Sequence, residues 1–385
     1  MRDRRLPYGR QLVDESDVAA VSDVLRSDWL TTGPKVEAFE QAFAEVTGSA
    51  HAVAVSTGTS ALHAIAHTVG ISSGDEVIVP AITFAATANC VVYEGGRPVF
   101  ADVDPRTLLV DPDSVVAVSS SRTKAVFAVD YAGQPCDYAA LDAIGDRAGT
   151  LILADACHAL GATADGRPIG SLALATAFSM HPVKPITTAE GGMVTTDSDE
   201  LAAVARRFRN HGISTEFRER ERQGSWFYEM IDLGFNYRLS DMQCALGLSQ
   251  LGKLKAWVER RREIARRYDD AFEELAGVDP LERVPGAEHA YHLYVVKLDL
   301  ERLTCGRERF FRALQAEGIG VNVHYIPVHL HPYYRERYGT GPGMCPVAEE
   351  AYERIVTLPM THAMSDEDTG DVIDAVAKVA SAYAA

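Results

Sequence analysis

A chain of 385 residues with 47% apolar and 24% charged side chains has the composition of a globular protein large enough for more than one core, which excludes a disordered or fibrous chain. Its 37 basic against 54 acidic side chains leave a net charge of −17, which repels nucleic-acid phosphates over the average surface but still allows a local basic patch to hold one small anion. No apolar run approaches the roughly 20 residues of a membrane helix, the charged opening Met1-Arg2-Asp3-Arg4-Arg5 leads into no apolar signal-peptide stretch, and six scattered cysteines without a Cys-x-x-Cys pair point to reduced cytoplasmic thiols rather than to zinc or disulfides.

Short apolar runs then alternate with helical periodicity. His51 to Val55 reads as a buried strand, and Ser60 to Val69 as a helix with Leu62, Ile65 and Ala66 on one face. Glu76 to Val79, Pro98 to Ala101, Ala125 to Val129 and Thr150 to Ala154 read as further strands, each running into a polar or Gly/Pro loop. Strands spaced by helices predict an α/β domain with a mainly parallel sheet, whose ligands gather at the carboxyl ends of the strands. Ser240 to Gln243 matches a capping box and opens a helix predicted to run to about Leu275, with Leu251, Leu254 and Val258 on one face and a charged, solvated stretch from Glu259 to Arg267. Asp279-Pro280 and Pro285-Gly286 punctuate the chain. Beyond about residue 287 a smaller α+β unit is predicted, with a strand at Tyr291 to Leu298, a helix at Arg307 to Glu317 and a last helix after Ser365. The division is a large domain over 12–250 and a small C-terminal domain over 251–385, linked by the helix that starts near 240.

Three segments carry chemistry. Ser56-Thr57-Gly58-Thr59-Ser60 joins a strand to a helix, where glycine permits close approach and the helix N-terminus offers free N–H groups suited to a phosphate. The same residues would serve an ordinary capped turn. Asp155-Ala156-Cys157-His158 follows a buried strand, so its carboxylate can hold a cationic ring nitrogen or simply cap the next turn. Lys184 lies between Pro182 and Pro185, which preclude a regular helix and fix the loop. A lysine is ordinarily a surface charge, but one held in a partly dry pocket has the lowered pKa that a Schiff-base former needs.

Together these segments resemble the DegT/DnrJ/EryC1/StrS sugar aminotransferases. The likeness lies in Gly58 to Leu62, Pro80 to Phe84, Asp155 with His158, Ser179 to Lys184 and Gly234 to Asp241, and it extends from about residue 8 to 380. It implies the aspartate-aminotransferase-like α/β fold of pyridoxal-phosphate enzymes of fold type I, and pyridoxal 5′-phosphate as cofactor. By position, Lys184 would form the Schiff base and move the proton, and Asp155 would pair with the pyridine nitrogen. His158 would lie near the phenolic oxygen, Phe84 would stack on the ring, and Gly58, Thr59 and Ser179 would hold the phosphate. Asn236 would reach the phosphate of a neighbouring subunit, which implies a homodimer with shared active sites. Met180 and Cys157 depart from the commoner residues of the family at their positions.

Within the family the likeness extends to the C4 aminotransferase of the pseudaminic acid pathway, through His181 to Gly192, Asp232 to Ser240, Cys244 to Leu251 and Val323 to His329. That implies L-glutamate as amino donor and a nucleotide-linked keto-sugar, a UDP-4-keto-6-deoxy-N-acetylhexosamine, as acceptor. His181, His324, Tyr325 and His329 would approach this substrate, or form a polar loop of the small domain. Arg209, His211, Trp226 and Tyr228 would help bind nucleotide or diphosphate, or form a solvated loop. An aminotransferase for another keto-sugar or cyclitol of antibiotic or surface-glycan synthesis is compatible with the same residues. A sugar 3-dehydratase has His at the Lys184 position, and a pyridoxal-phosphate-binding regulator is the non-enzymatic alternative.

Overall fold

The computed structural model describes residues 5–215 and 217–385; the charged residues 1–4 lie outside them. The main sheet has seven strands, β1 (His51–Val55), β2 (Glu76–Pro80), β3 (Arg97–Ala101), β4 (Thr123–Val129), β5 (Leu151–Asp155), β6 (Ala175–Ser179) and β7 (Gly192–Thr196). Their spatial order is β1-β7-β6-β5-β4-β2-β3. β7 is antiparallel to both its neighbours, and every other neighbouring pair is parallel. The strands are covered on both faces, so β2 is buried at every position and reads as a continuous apolar run rather than an alternation.

The five strands expected from sequence are β1 to β5. β6 and β7 escape an apolar-run reading because they carry Thr176, Thr195 and Thr196 inside the core. Burial there is tolerable for Thr195 and Thr196, whose hydroxyls donate to the carbonyls of Gly170 and Leu174 at 3.0 and 2.7 Å. Helices α1 (Glu15–Leu25), α2 (Pro34–Thr47), α3 (Gly58–Thr68) and α4 (Ala85–Tyr93) pack around the sheet. α3 is buried from Ser60 to Ala66 on every side, as its small and apolar residues allow.

The helix predicted from 240 to 275 is two helices, α5 (Asp241–Leu251) and α6 (Leu254–Phe272). The Ser240 capping box is formed. The break at Gly252-Lys253 lets Lys253 reach Asp14 at 2.7 Å and the buried Asp17 at 2.8 Å, while the Gln250 amide donates to Asp17 at 3.1 Å. Strands β8 (Val278–Pro280), β9 (Tyr294–Leu298) and β10 (Ile355–Leu358) form an antiparallel sheet in that order, covered by α7 (Arg307–Ala316) and α8 (Asp366–Ala382).

The two apolar cores do not part at residue 250. Leu254 and Val258 of α6 belong to the large core, while Ile264, Ala265, Tyr268 and Phe272 belong to the small one. Val328, Tyr334, Cys345 and Ala348 return to the large core, and Leu6 packs into the small one. The return is fastened by Asp102, whose carboxylate accepts from the N–H groups of Val347 and Ala348 at 2.9 and 2.8 Å. Among the described residues no helix is long and apolar enough to cross a membrane.

Candidate active site

The carboxyl ends of β1, β2, β4, β5 and β6 open on a cavity of about 640 Å³ that is also lined by residues 322–325. This is where an open parallel sheet gathers ligands. At the β1–α3 turn, Thr57 is extended and caps α3. Its hydroxyl accepts from the Ser60 N–H at 3.0 Å and its carbonyl from the Ala61 N–H at 3.1 Å. The first-turn N–H groups of Gly58 and Thr59 stand earlier than any intrahelical partner can reach, on the cavity wall. A side chain at Gly58 would put its Cβ 2.8 Å from the Cβ of Ser179 and 3.2 Å from the Cys157 sulfur. Glycine is therefore what brings α3 and the end of β6 together into one small cradle.

Lys184 is carried by a loop folded back over its own base. The N–H of Met180 donates to Gly191 at 2.9 Å, and the N–H of Thr188 to the Met180 carbonyl at 3.0 Å. Met180 is fully buried, so the apolar departure at this position anchors the loop. Burial pushes the Lys184 ammonium down to about 8, against Cys157 and Asp155, which act to raise it. Its Nζ lies 3.3 Å from Nε2 of His292.

Asp155 ends β5 and is buried. One carboxylate oxygen accepts from the Thr87 hydroxyl at 2.6 Å and the other from the Cys157 N–H at 3.2 Å. The backbone of Cys157 thus supplies a bond to the carboxylate whatever its side chain. His158 accepts at Nδ1 from the Ala132 N–H at 3.2 Å, which leaves its ring proton on Nε2, facing the Tyr325 hydroxyl at 3.0 Å. Burial and then the neighbouring Lys184 push His158 well below the usual histidine range.

Of the residues singled out in the sequence, Gly58, Thr59, Phe84, Asp155, His158, Ser179, His181, Lys184, His324 and Tyr325 line this one cavity. Phe84 is 59% exposed there, its ring 6.0 Å from that of Tyr325. His324 is buried, bonded through Nδ1 to the Thr357 hydroxyl at 2.9 Å, and pushed down to about 4 by burial.

His329 is not brought to the cavity. Its side chain is fully buried against Glu349, 2.9 Å away, because the chain has by then turned into the large core. Asn236 is exposed on a segment paired with Asn210 and does not line the cavity of its own chain. Arg209 is buried in an ion pair with Glu40 and donates to the Ala54 carbonyl at 2.9 Å. It forms the floor of a second hollow of about 500 Å³, whose walls include Arg206, Arg218, Arg220, Arg222 and Arg238. His211, Trp226 and Tyr228 do not line that hollow.

Sequence reasoning missed Thr87, Tyr8, Asn322 and His292, all close to or lining the site. The one visible signal was His292 itself, an ionisable residue at the start of an otherwise apolar run, Leu293 to Val296.

The donor set suits pyridoxal phosphate. A buried carboxylate, a glycine-gated cradle of N–H groups and an amine of depressed basicity all line one cavity. Comparison with known proteins agrees. The model of the DegT/DnrJ/EryC1/StrS aminotransferase family matches residues 11–377. The spore coat polysaccharide biosynthesis protein SpsC of Bacillus subtilis is 43% identical over 378 residues, 97% of each chain. Helicobacter pylori PseC, an aminotransferase involved in the biosynthesis of pseudoaminic acid, is similar with a TM-score of 0.92 at 32% identity, over 99% of this chain and 100% of its own. The PLP form of Spr1654 from Streptococcus pneumoniae is similar with a TM-score of 0.92 at 30% identity, over 98% of this chain and 99% of its own. On fold, site and likeness together, the chain belongs to the DegT/DnrJ/EryC1/StrS aminotransferase family and is a pyridoxal-phosphate-dependent aminotransferase of fold type I.

Proposed function

We propose that the enzyme moves an amino group from L-glutamate to the C4 keto carbon of a UDP-linked 4-keto-6-deoxy-N-acetylhexosamine, leaving 2-oxoglutarate and the amino-sugar. The observation that carries this reading is a single cavity lined by Lys184 and Asp155 together with the His324-Tyr325 loop. The sequence of that loop resembles the C4 aminotransferase of the pseudaminic acid pathway, and PseC, an aminotransferase involved in the biosynthesis of pseudoaminic acid, is similar over 99% of the chain.

When bound, pyridoxal phosphate supplies an electron sink that lowers the cost of removing a proton from the carbon bearing the amino group. Asp155 keeps a proton on the ring nitrogen, its carboxylate held in place by Thr87 and the Cys157 N–H. Lys184, as a neutral amine, takes the proton from glutamate Cα and later delivers one to the sugar C4. Gly58, Thr59 and Ser179 hold the phosphate, Phe84 covers the ring face, and His158 with Tyr325 faces the phenolic oxygen. His181, His324 and Tyr325 contact the sugar.

A homodimer completes the site. Asn236 lies outside its own cavity and in our reading reaches the phosphate in the neighbouring subunit. The exposed apolar run Trp226, Phe227, Met230, Ile231 and Leu233 nearby is surface for a second copy to cover. The arginine-lined hollow offers positive charge to the nucleotide diphosphate. Six free cysteines, none of them exposed, fit a cytoplasmic setting.

The higher identity to SpsC favours a second reading, a different keto-sugar destined for a surface polysaccharide. A screen of UDP-, dTDP- and GDP-linked keto-sugars against the pyridoxamine form separates the two. Fastest turnover of the UDP-4-keto-6-deoxy-N-acetylhexosamine supports the first, and preference for a dTDP- or GDP-linked sugar overturns it.

A further inference from the structure

His292 stands against Lys184 from the small-domain side. Its ring is 4% exposed, Nε2 is 3.3 Å from Nζ of Lys184, and Nδ1 has no hydrogen-bond partner among the described residues. The ring is fixed from behind. Its centroid lies 4.5 Å from that of His158, and Nη1 of the buried Arg261 donates to the carbonyls of Tyr291 and His292 at 3.0 and 3.4 Å. The ionisable groups that act on His292 are Lys184, His158, Arg261 and His324, while Cys157 and Asp155 act on Lys184.

A neutral imidazole carries one N–H and one lone pair. With the proton on Nδ1, a buried donor would face no acceptor. With the proton on Nε2, the ring donates to the lone pair of Nζ, and only an acceptor is left bare at Nδ1. Orphaned buried donors are the rarer of the two, so the second arrangement is favoured. It requires an unprotonated lysine, because an ammonium has three donors and no acceptor. We propose that His292 is a positioning residue that favours the neutral amine of Lys184 in the cofactor-free site, with its Nε2–H donating to Nζ of that form. Protonating Lys184 would drive the imidazole proton to Nδ1 and strand it there. The neutral amine is the form that can attach to the cofactor's aldehyde carbon, so the imidazole keeps the site ready to be loaded.

The inference rests on Lys184 being the cofactor lysine, which Lys184→Ala tests by loss of the visible cofactor band and of turnover. The present test uses cofactor-free protein with Lys184 in place, so the two can fail separately. In protein labelled with 15N-histidine, the His292 signals are identified among twelve histidines by their loss in His292→Gln. At a pH above the Lys184 value of about 8, an unprotonated Nδ1 and a protonated Nε2 are expected, and a protonated Nδ1 there overturns the proposal. The pH dependence of attachment of added pyridoxal phosphate is the second readout. In His292→Phe its midpoint should rise by about one pH unit, roughly a tenfold slower attachment below the midpoint, and His292→Gln, which keeps an N–H donor, should restore it. An unchanged or lowered midpoint in a folded His292→Phe protein overturns the proposal. If that variant does not fold, the tautomer measurement and His292→Gln still decide.

Discussion

Two histidine clusters in this molecule differ in company. His158, His292 and His324 surround Lys184, and their hydrogen bonds run to backbone, hydroxyl, amide or amine groups. All three are pushed below the usual histidine range, by burial first and by the lysine next or close behind. His63 and His67, on α3, instead grip carboxylates. His63 meets Glu94 at 2.9 Å, and His67 spans Glu94 at 3.4 Å and Asp232 at 3.0 Å. Hydrogen bonding to Glu94 raises His67, and although burial works against it, bonding to the two imidazoles holds Glu94 down to about 2. His63 and His158 are almost equally buried, at 4% and 6% exposure. Burial alone therefore does not set the role of an imidazole; its partners do, and carboxylate partners tie elements together. The second cluster ties α3 and α4 to the 232–237 segment that carries Asn236.

The comparison can be broken at several points. The largest effect is expected from Lys184→Ala, which removes the centre of the neutral cluster. Turnover should fall by at least the roughly 10²- to 10⁴-fold that positioned proton transfer contributes, with loss of the visible cofactor band. Retention of both would sink the assignment. Asp155→Asn removes the buried carboxylate at the cavity but keeps its shape. Leaving a buried cationic ring nitrogen unpaired costs about 3 kcal/mol, roughly two orders of magnitude in kcat, and single-turnover absorbance changes with glutamate would show it. A rate within threefold of the parent would argue that Asp155 serves only Thr87.

The smallest effect belongs to the carboxylate-bound cluster. His67→Phe should lower unfolding free energy by about 2 kcal/mol, the range of a hydrogen bond to a charged group, without abolishing the cofactor band. The two clusters should also answer pH in opposite directions. The folded state raises His67 above 6.5, so its contribution is complete below 6.5 and is lost as pH climbs through the raised value. The folded state lowers Lys184 from 10.5 to about 8, so the cofactor-free protein gains stability from this residue as pH rises between those values. Melting curves of the parent and each variant across pH 6 to 10.5 would show slopes of opposite sign, and equal slopes would erase the distinction.

The catalytic half of the site was legible because it is local. A strand-to-helix glycine turn, a carboxylate closing an apolar strand and a lysine between prolines each announce themselves within a few residues. The resemblance then supplied Phe84 and the loop at His324, which line the cavity, and Asn236, which does not. What stayed hidden depends on residues far apart in sequence. Thr87 matters because it reaches Asp155, 68 positions away, and His292 because it faces Lys184, 108 positions away. His329 misled for the same reason, since only the fold shows that the chain turns inward between Tyr325 and Val328. The break between α5 and α6 was invisible because its cause, Asp17, lies at the other end of the chain. β7 was missed because its threonines look solvent-facing until their carbonyl partners are known.

Arg261 sits midway along α6, between the residues that belong to one core and those that belong to the other. Its guanidinium serves the carbonyls of Tyr291, His292 and Met360, with no carboxylate among these partners. Being held by uncharged oxygens, this rivet does not loosen with acidity. Any rocking of the small domain against the sheet must therefore carry His292 with it, so the distance between the imidazole and the lysine serves as a gauge of how far the two bodies have closed.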